Sequence, residues 1–216
     1  MERDSIRIVA WNCQGGFRQK WRRVVGSEPD VLVVPECEPL DFLDAPVLFD
    51  PFPMEQSLRF ARGASPKGLA VFATNGWRLA VDNAYDERFA YVVPLIASRE
   101  NHAVTIIAVW GMPSPGRGDY PERLHEAVSH YADLLREPVV MVGDFNSNTV
   151  FDAAHRSGSH SELVARLAAS GVVSLYHERT GEPQGGESQP TFFMNRNRAK
   201  PYHLDFCFAG SSQSGV

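Results

Sequence analysis

The stretch VVMVGDFN at residues 139–146 ends an apolar run with a carboxylate, Asp144, and a carboxamide, Asn146. Four apolar residues without alternation predict a strand buried on both faces, entered after Pro138 and left at Gly143. In extended backbone, residues two apart point the same way, so both polar groups would face one spot beside the core. Oxygen donors so placed suit a hard divalent cation. The other reading is an Asx turn that closes the strand, and the stretch alone leaves both open. Asn12 and Glu36 hold like positions, one at the end of IRIVAW and the other just past VLVV. A carboxylate beside an apolar run needs a partner or a metal unless it sits in an exposed loop. His203 and Asp205 lie two apart in HLDFCF, with Leu204, Phe206 and Phe208 alternating on the core side. A structural His-Asp hydrogen bond accounts for that pair by itself. Taken with Glu36 and Asp144, it becomes a candidate catalytic or metal-binding pair.

The elements that position these residues read as follows. Residues 6–11 predict a first strand, rich in β-branched side chains, and Gly15-Gly16 permits close backbone approach after it. A short helix is expected over 20–25. A second buried strand covers 31–34, with Pro35 and Pro39 arguing against its continuation to Glu38. Residues 40–65 read as a surface loop with short strands. Arg59, Arg62 and Lys67 add local positive charge that would meet an anionic substrate or form a solvated basic edge. Strands over 68–74, 77–81, 91–97 and 103–110 make a meander, with turns at Asn75-Gly76 and Asn101. After the loop MPSPGRGDY, a helix runs from Pro121 to about Leu135, packing Leu124, Val128, Tyr131 and Leu135 in one stripe. A second helix spans 161–169 and a short strand 172–176. Residues 181–189 are polar and Gly-rich, which predicts a mobile loop. A strand start is expected at 191–194, and Arg196, Arg198 and Lys200 form a small basic loop. Without a linker or internal repeat, residues 1–216 read as one domain.

The composition narrows the function. With 216 residues there is room for a sizeable core, and 44% hydrophobic with 22% charged residues is ordinary for a soluble globular chain. A formal net charge of -5 argues against a broadly basic nucleic-acid surface while allowing a local patch. No apolar run is long enough to span a membrane, and the charged start MERDSIRIVAW is unlike a signal peptide. Cys13, Cys37 and Cys207 are too few and too far apart for a disulfide scaffold or zinc knuckle, which leaves a reducing, cytoplasmic setting as the expectation.

Taken in order, these pieces resemble the endonuclease/exonuclease/phosphatase family of metal-dependent phosphoesterases, from about Ile6 to Phe208. GDFN at 143–146 is the strongest match. Asn12 with Gln14 and Gly15 is similar to the family's N-terminal Asn motif, PECE with Glu36 to its metal-binding Glu motif, and HLDF with Asp205 to its Arg/His-x-Asp-Tyr motif. The resemblance implies an α/β fold, a four-layer sandwich of two packed mixed β-sheets flanked by helices. It implies that Glu36, helped by Asn12, binds Mg2+ or Mn2+, that Asp144 orients or deprotonates the attacking water, that Asn146 holds the phosphate, and that Asp205 supports them. His203 would donate to phosphate or orient its neighbour. Such chemistry wants a metal to neutralise charge and a positioned water.

Two departures stand out. The family's closing Ser-Asp-His-x-Pro strand has no counterpart in AGSSQSGV, which implies a shortened or modified member with one strand fewer, an exposed sheet edge and lower stability. The loop after Trp110 lacks the family's Tyr and Asn near a Pro, and Arg117 or Tyr120 would substitute as substrate-binding groups. The expected reaction is divalent-metal-dependent phosphodiester hydrolysis on a nucleic acid, DNA or RNA, or on a nucleotide-like substrate. The alternatives are hydrolysis of phosphomonoesters, inositol phosphates or phospholipids, and non-catalytic phosphate binding. No obligate protein partner is evident.

Overall fold

The computed structural model describes residues 5–39, 56–63, 65–112, 120–136, 138–154 and 158–210. Two large mixed β-sheets flanked by helices make up an α/β fold. The chain divides into two compact units, Met1–Val109 and Trp110–Val216. Among the described residues, no helix is long and apolar enough to cross a membrane.

In the first unit, β1 (Ile8–Ala10) leads into the short helices α1 (Phe17–Lys20) and α2 (Arg22–Val25), then β2 (Val31–Cys37). β3 (Gln56–Phe60) and β4 (Gly68–Ala73) complete a sheet of order β1-β2-β4-β3, parallel only between β1 and β2. Pro35 does not end β2 as its missing N–H suggests. The pairing with β4 shifts between Val34 and Cys37, and this irregularity absorbs the proline. Under the sheet, Phe17, Trp21, Leu32, Val34 and Phe72 form one buried cluster with Cys13 and Cys37. Phe17 stacks on Phe72 at 4.8 Å between ring centroids.

The Asn75-Gly76 turn is present, with φ of 55° and 79°. It joins strands of different sheets, however. β5 (Arg78–Val81) pairs with β6 (Val92–Arg99), which pairs with β7 (His102–Trp110) through a turn at Glu100-Asn101. The Gln56 carboxamide ties the sheets within this unit, donating to the Leu79 carbonyl (2.7 Å) and accepting from its N–H (2.6 Å).

The second unit contains α3 (Tyr120–His130), β8 (Val139–Asp144), α4 (His160–Ala169), β9 (Val172–Ser174) and α5 (Leu175–Thr180). The small hairpin β10 (Phe192–Phe193) and β11 (Pro201–Tyr202) precedes β12 (Asp205–Gly210). β12 lies antiparallel between β8 and β9. The stripe of Leu124, Val128, Tyr131 and Leu135 is buried, although α3 ends at His130 and Leu135 sits in a following 3-10 turn. α4 opens on a capping box between Ser159 and Glu162.

The expected strand over 172–176 stops at Ser174, because α5 starts at Leu175 and ends on left-handed Gly181. Residues 181–189 are pinned at both ends. Glu182 accepts from Tyr176 Oη (2.5 Å) and Ser188 N–H (2.9 Å), and the nearly inaccessible Glu187 carboxylate accepts from Asn148, His177 and Gly185.

Candidate active site

The first unit supplies the Asn12–Glu36 group. β1 and β2 run parallel, and Trp11 N–H still bonds the Val33 carbonyl at 2.9 Å, so the ends of both strands stay side by side. Asn12 Nδ2 donates to Glu36 Oε1 at 3.0 Å, while Asn12 Oδ1 accepts from Gln14 N–H at 2.9 Å. Glu36 sits at the strand irregularity with φ 58°, and its other oxygen pairs with Lys67 Nζ. Gly15 answers the sequence's demand for close approach. Its N–H bonds the Glu36 carbonyl at 2.9 Å, and a Cβ there would touch the Lys67 stem at 3.4 Å. Lys67 is therefore held as the partner of Glu36.

Glu38 does different work. Its carboxylate accepts from the Phe17 and Arg18 N–H groups at 2.8 and 2.7 Å, fixing the start of α1. The sequence separation of Cys13 and Cys37 hides their proximity: their sulfurs and the Glu38 carboxylate lie within 4.8 Å of one another. Both thiols are free and buried.

The second unit supplies Asp144, Asn146 and Asp205. The carboxylates occupy paired positions, because Asp205 opens β12 opposite Asp144, the last residue of β8. Asp144 Oδ1 accepts the Asn146 N–H at 2.8 Å, and Asn146 takes φ 48°. The Asx turn is thus real, and the alternation expected past the strand end does not extend to Asn146. Its carboxamide donates instead to the Gly111 carbonyl at 2.9 Å, and Gly111 N–H returns a 2.7 Å bond to the Asp144 carbonyl. A Cβ on Gly111 would lie 2.2 Å from the Phe145 carbonyl oxygen, so only glycine fits. A lone glycine after a long apolar strand was the available signal for this residue.

Asp205 Oδ1 is buried and, among the described residues, makes no hydrogen bond. Burial first, and then the neighbouring Asp144 charge, push its pKa up to about 7, against a lowering hydrogen bond with Thr191.

His203 is held away from the His-Asp pairing read from the sequence. It precedes β12, its Nδ1 lies 2.7 Å from the Gln189 carbonyl, and its ring packs on Tyr176 and Phe206. Asn148 Nδ2 bonds the His203 carbonyl at 2.9 Å and also reaches Glu187. Burial works to raise the Glu187 pKa, but hydrogen bonds from backbone N–H groups, Asn148 and His177 outweigh it and hold this carboxyl below its ordinary value. No local spacing signals that Asn148, His177 and Glu187 join in one hydrogen-bonded network. Arg117 lies outside the described residues. Tyr120 begins α3, and its side chain lies outside them too.

Carboxylate and amide oxygens suit a hard divalent cation. Within the first unit, Glu36 offers a carboxylate already steadied by two donors, an oxygen ligand of the kind such a cation takes. No family model matches the sequence, and no curated protein matches it. Solved structures do. An AP endonuclease from Leishmania major aligns with a TM-score of 0.67 at 14% identity, covering 97% of this chain and 79% of that one. The endonuclease domain of TRAS1, a telomere-specific non-LTR retrotransposon, aligns at 0.63 and 10% identity, over 96% and 85%. The 3′ phosphatase NExo from Neisseria, bound to a product DNA hairpin, aligns at 0.63 and 13%, over 97% and 88%. The fold is an endonuclease/phosphatase fold. At these identities the likeness is one of fold, and the chemistry rests on the residues described.

Proposed function

We propose that this chain hydrolyses phosphodiester bonds with a divalent cation, Mg2+ or Mn2+, on a nucleic-acid or nucleotide-like substrate. The observation that carries the reading is the Asp144–Asp205 pair. Burial, and after it the Asp144 charge on the neighbouring strand, push the Asp205 pKa up to about 7, which suits proton transfer at neutral pH.

In this reading Glu36 holds the cation, with Asn12 orienting its carboxylate. The cation when bound would neutralise charge on the phosphate. Asp144 orients the attacking water and takes its proton. Asp205 keeps that charge in place and shares the proton. Asn146, fixed by Gly111, keeps its second amide hydrogen for a phosphate oxygen. His203 is the weaker candidate, because its Nδ1 already donates to the Gln189 carbonyl, so Nε2 can donate to phosphate only when the ring is charged. Arg117 and Tyr120 remain proposed substrate contacts.

A second reading, phosphomonoester hydrolysis, draws support from the likeness to a 3′ phosphatase. The test is turnover of a chromogenic phosphodiester with Mg2+ or Mn2+, beside EDTA and Asp144→Ala controls. Metal-dependent turnover that falls by about 100-fold or more in the variant is expected. Undiminished turnover in EDTA sinks the reading. Comparing a plasmid, a short single-stranded oligonucleotide and a 3′-phosphorylated oligonucleotide separates diester from monoester chemistry. Metal-supported binding without turnover would make the chain a phosphate-binding protein.

A further inference from the structure

The first unit holds a cavity of about 380 Å3 that none of the roles above uses, lined by Arg59, Phe60, Arg62, Tyr85, Glu87 and Tyr91. Among the described residues, its two guanidinium groups are anchored on carbonyl oxygens. Arg59 bonds the carbonyls of Cys37 (3.2 Å) and Pro66 (3.4 Å), and Arg62 that of Glu87 (3.1 Å). Among the described residues, neither forms an ion pair with a carboxylate. A guanidinium carries five N–H donors in a flat fork, so both keep donors for an anion.

The rings are fixed as well. Phe60 and Tyr85 meet edge to face at 5.6 Å, Tyr85 Oη donates to the Ala90 carbonyl at 3.0 Å, and Tyr91 Oη accepts the Arg62 N–H at 3.2 Å. Ala90 also lines the cavity and stands at φ 49°, ψ -86°, a conformation that costs a non-glycine residue free energy. Strain of this kind is kept where the surroundings hold a wall in one shape. Two guanidinium groups against the single Glu87 carboxylate leave the cavity net positive in a chain of net charge -5.

We propose that this cavity is a nucleotide subsite, in which Arg59 and Arg62 hold a phosphate and the Phe60–Tyr85 wall receives the planar base. Arg59 is anchored on Cys37, next in sequence to Glu36, so the subsite lies on the unit that carries the proposed metal ligand. Its role as the seat of a nucleotide flanking the cleaved bond rests on the hydrolase reading. Its binding of a nucleotide does not.

The test measures binding in EDTA, where no turnover is expected, by fluorescence anisotropy of a labelled single-stranded hexanucleotide on the full chain. Competition by a 5′-mononucleotide and by inorganic phosphate distinguishes a nucleotide from a bare anion. Arg62→Gln and Arg59→Gln are each expected to weaken binding about tenfold. Glu87→Gln, which removes the opposing charge, should tighten it severalfold. Arg78→Gln, an exposed charge on β5 outside the cavity, should bind as the wild type does. The mononucleotide should compete better than inorganic phosphate. Unchanged affinity in Arg62→Gln, or inorganic phosphate competing as well as the mononucleotide, overturns the proposal. If Arg59→Gln fails to fold by circular dichroism, exposed Arg62 and Glu87 decide the matter. An inactive chain that still binds through these residues would reject the hydrolase reading and keep the subsite.

Discussion

Gly111 is a residue whose small size carries the geometry of its neighbours. It bonds both Asp144 and Asn146 through its backbone, and a methyl group there would collide with the Phe145 carbonyl. Gly111→Ala should therefore cost about 1–3 kcal/mol in urea unfolding and displace the GDFN turn, lowering turnover more than the stability loss explains. Turnover and stability both near wild type would show that the turn accommodates the methyl group elsewhere. Asn146 makes the complementary point. Its positive φ is tolerable for asparagine, and the carboxamide read from the sequence as a ligand also has a fixed structural bond.

At the scale of elements, Glu38 links β2 to α1. Helix α1 has four residues and no side-chain cap of its own, so the carboxylate on its first N–H groups holds it in place. Glu38→Ala should destabilise the chain by about 1–2 kcal/mol and loosen the turn that carries Asn12. Chemical denaturation, with amide exchange at Phe17 and Arg18, checks it, and unchanged protection at those amides would argue that Glu38 is dispensable. The buried strands and the packed stripe at 124–135 were legible because apolar periodicity reports burial. The passage of β2 through Pro35, the helix at 175–180 and the pinned 181–189 loop were not, since pairing shifts and distant side chains decide them.

For the stability of the whole molecule, two groups titrate against each other. Burial lowers the His160 pKa to about 4 from 6.5, against the nearby Asp152 and Glu187 charges, which work to raise it. The stability it contributes is present above pH 6.5 and lost as pH falls through about 4. Asp205 runs the other way. Its folded pKa of about 7 exceeds the ordinary 3.8, so its contribution is present below pH 3.8 and lost as pH rises through about 7. In metal-free buffer the two slopes partly cancel between pH 4 and 7. Asp205→Asn should unmask a loss of stability toward acid, and His160→Gln a loss toward neutral pH, both read from thermal unfolding across that range. Parallel profiles for the wild type and both variants would rule this pairing out. Salt offers a separate check on the proposed substrate. Binding to an oligonucleotide should weaken with a shallow salt slope, because a chain of net charge -5 offers few phosphate contacts.

The sequence by itself determined which side chains stand at the ends of buried strands. Apolar runs must be buried, and polar residues at their ends are delivered to the edge of the core whatever the rest of the chain does. Asn12, Glu36, Asp144 and Asp205 were legible for that reason. Tertiary structure alone decided their partners. Lys67 reaches Glu36 because β4 pairs with β2, Asp205 meets Asp144 because β12 lies antiparallel to β8, and His203 turns to the Gln189 carbonyl. Such pairings follow from strand order and register. These are set by long-range packing, which no local spacing encodes.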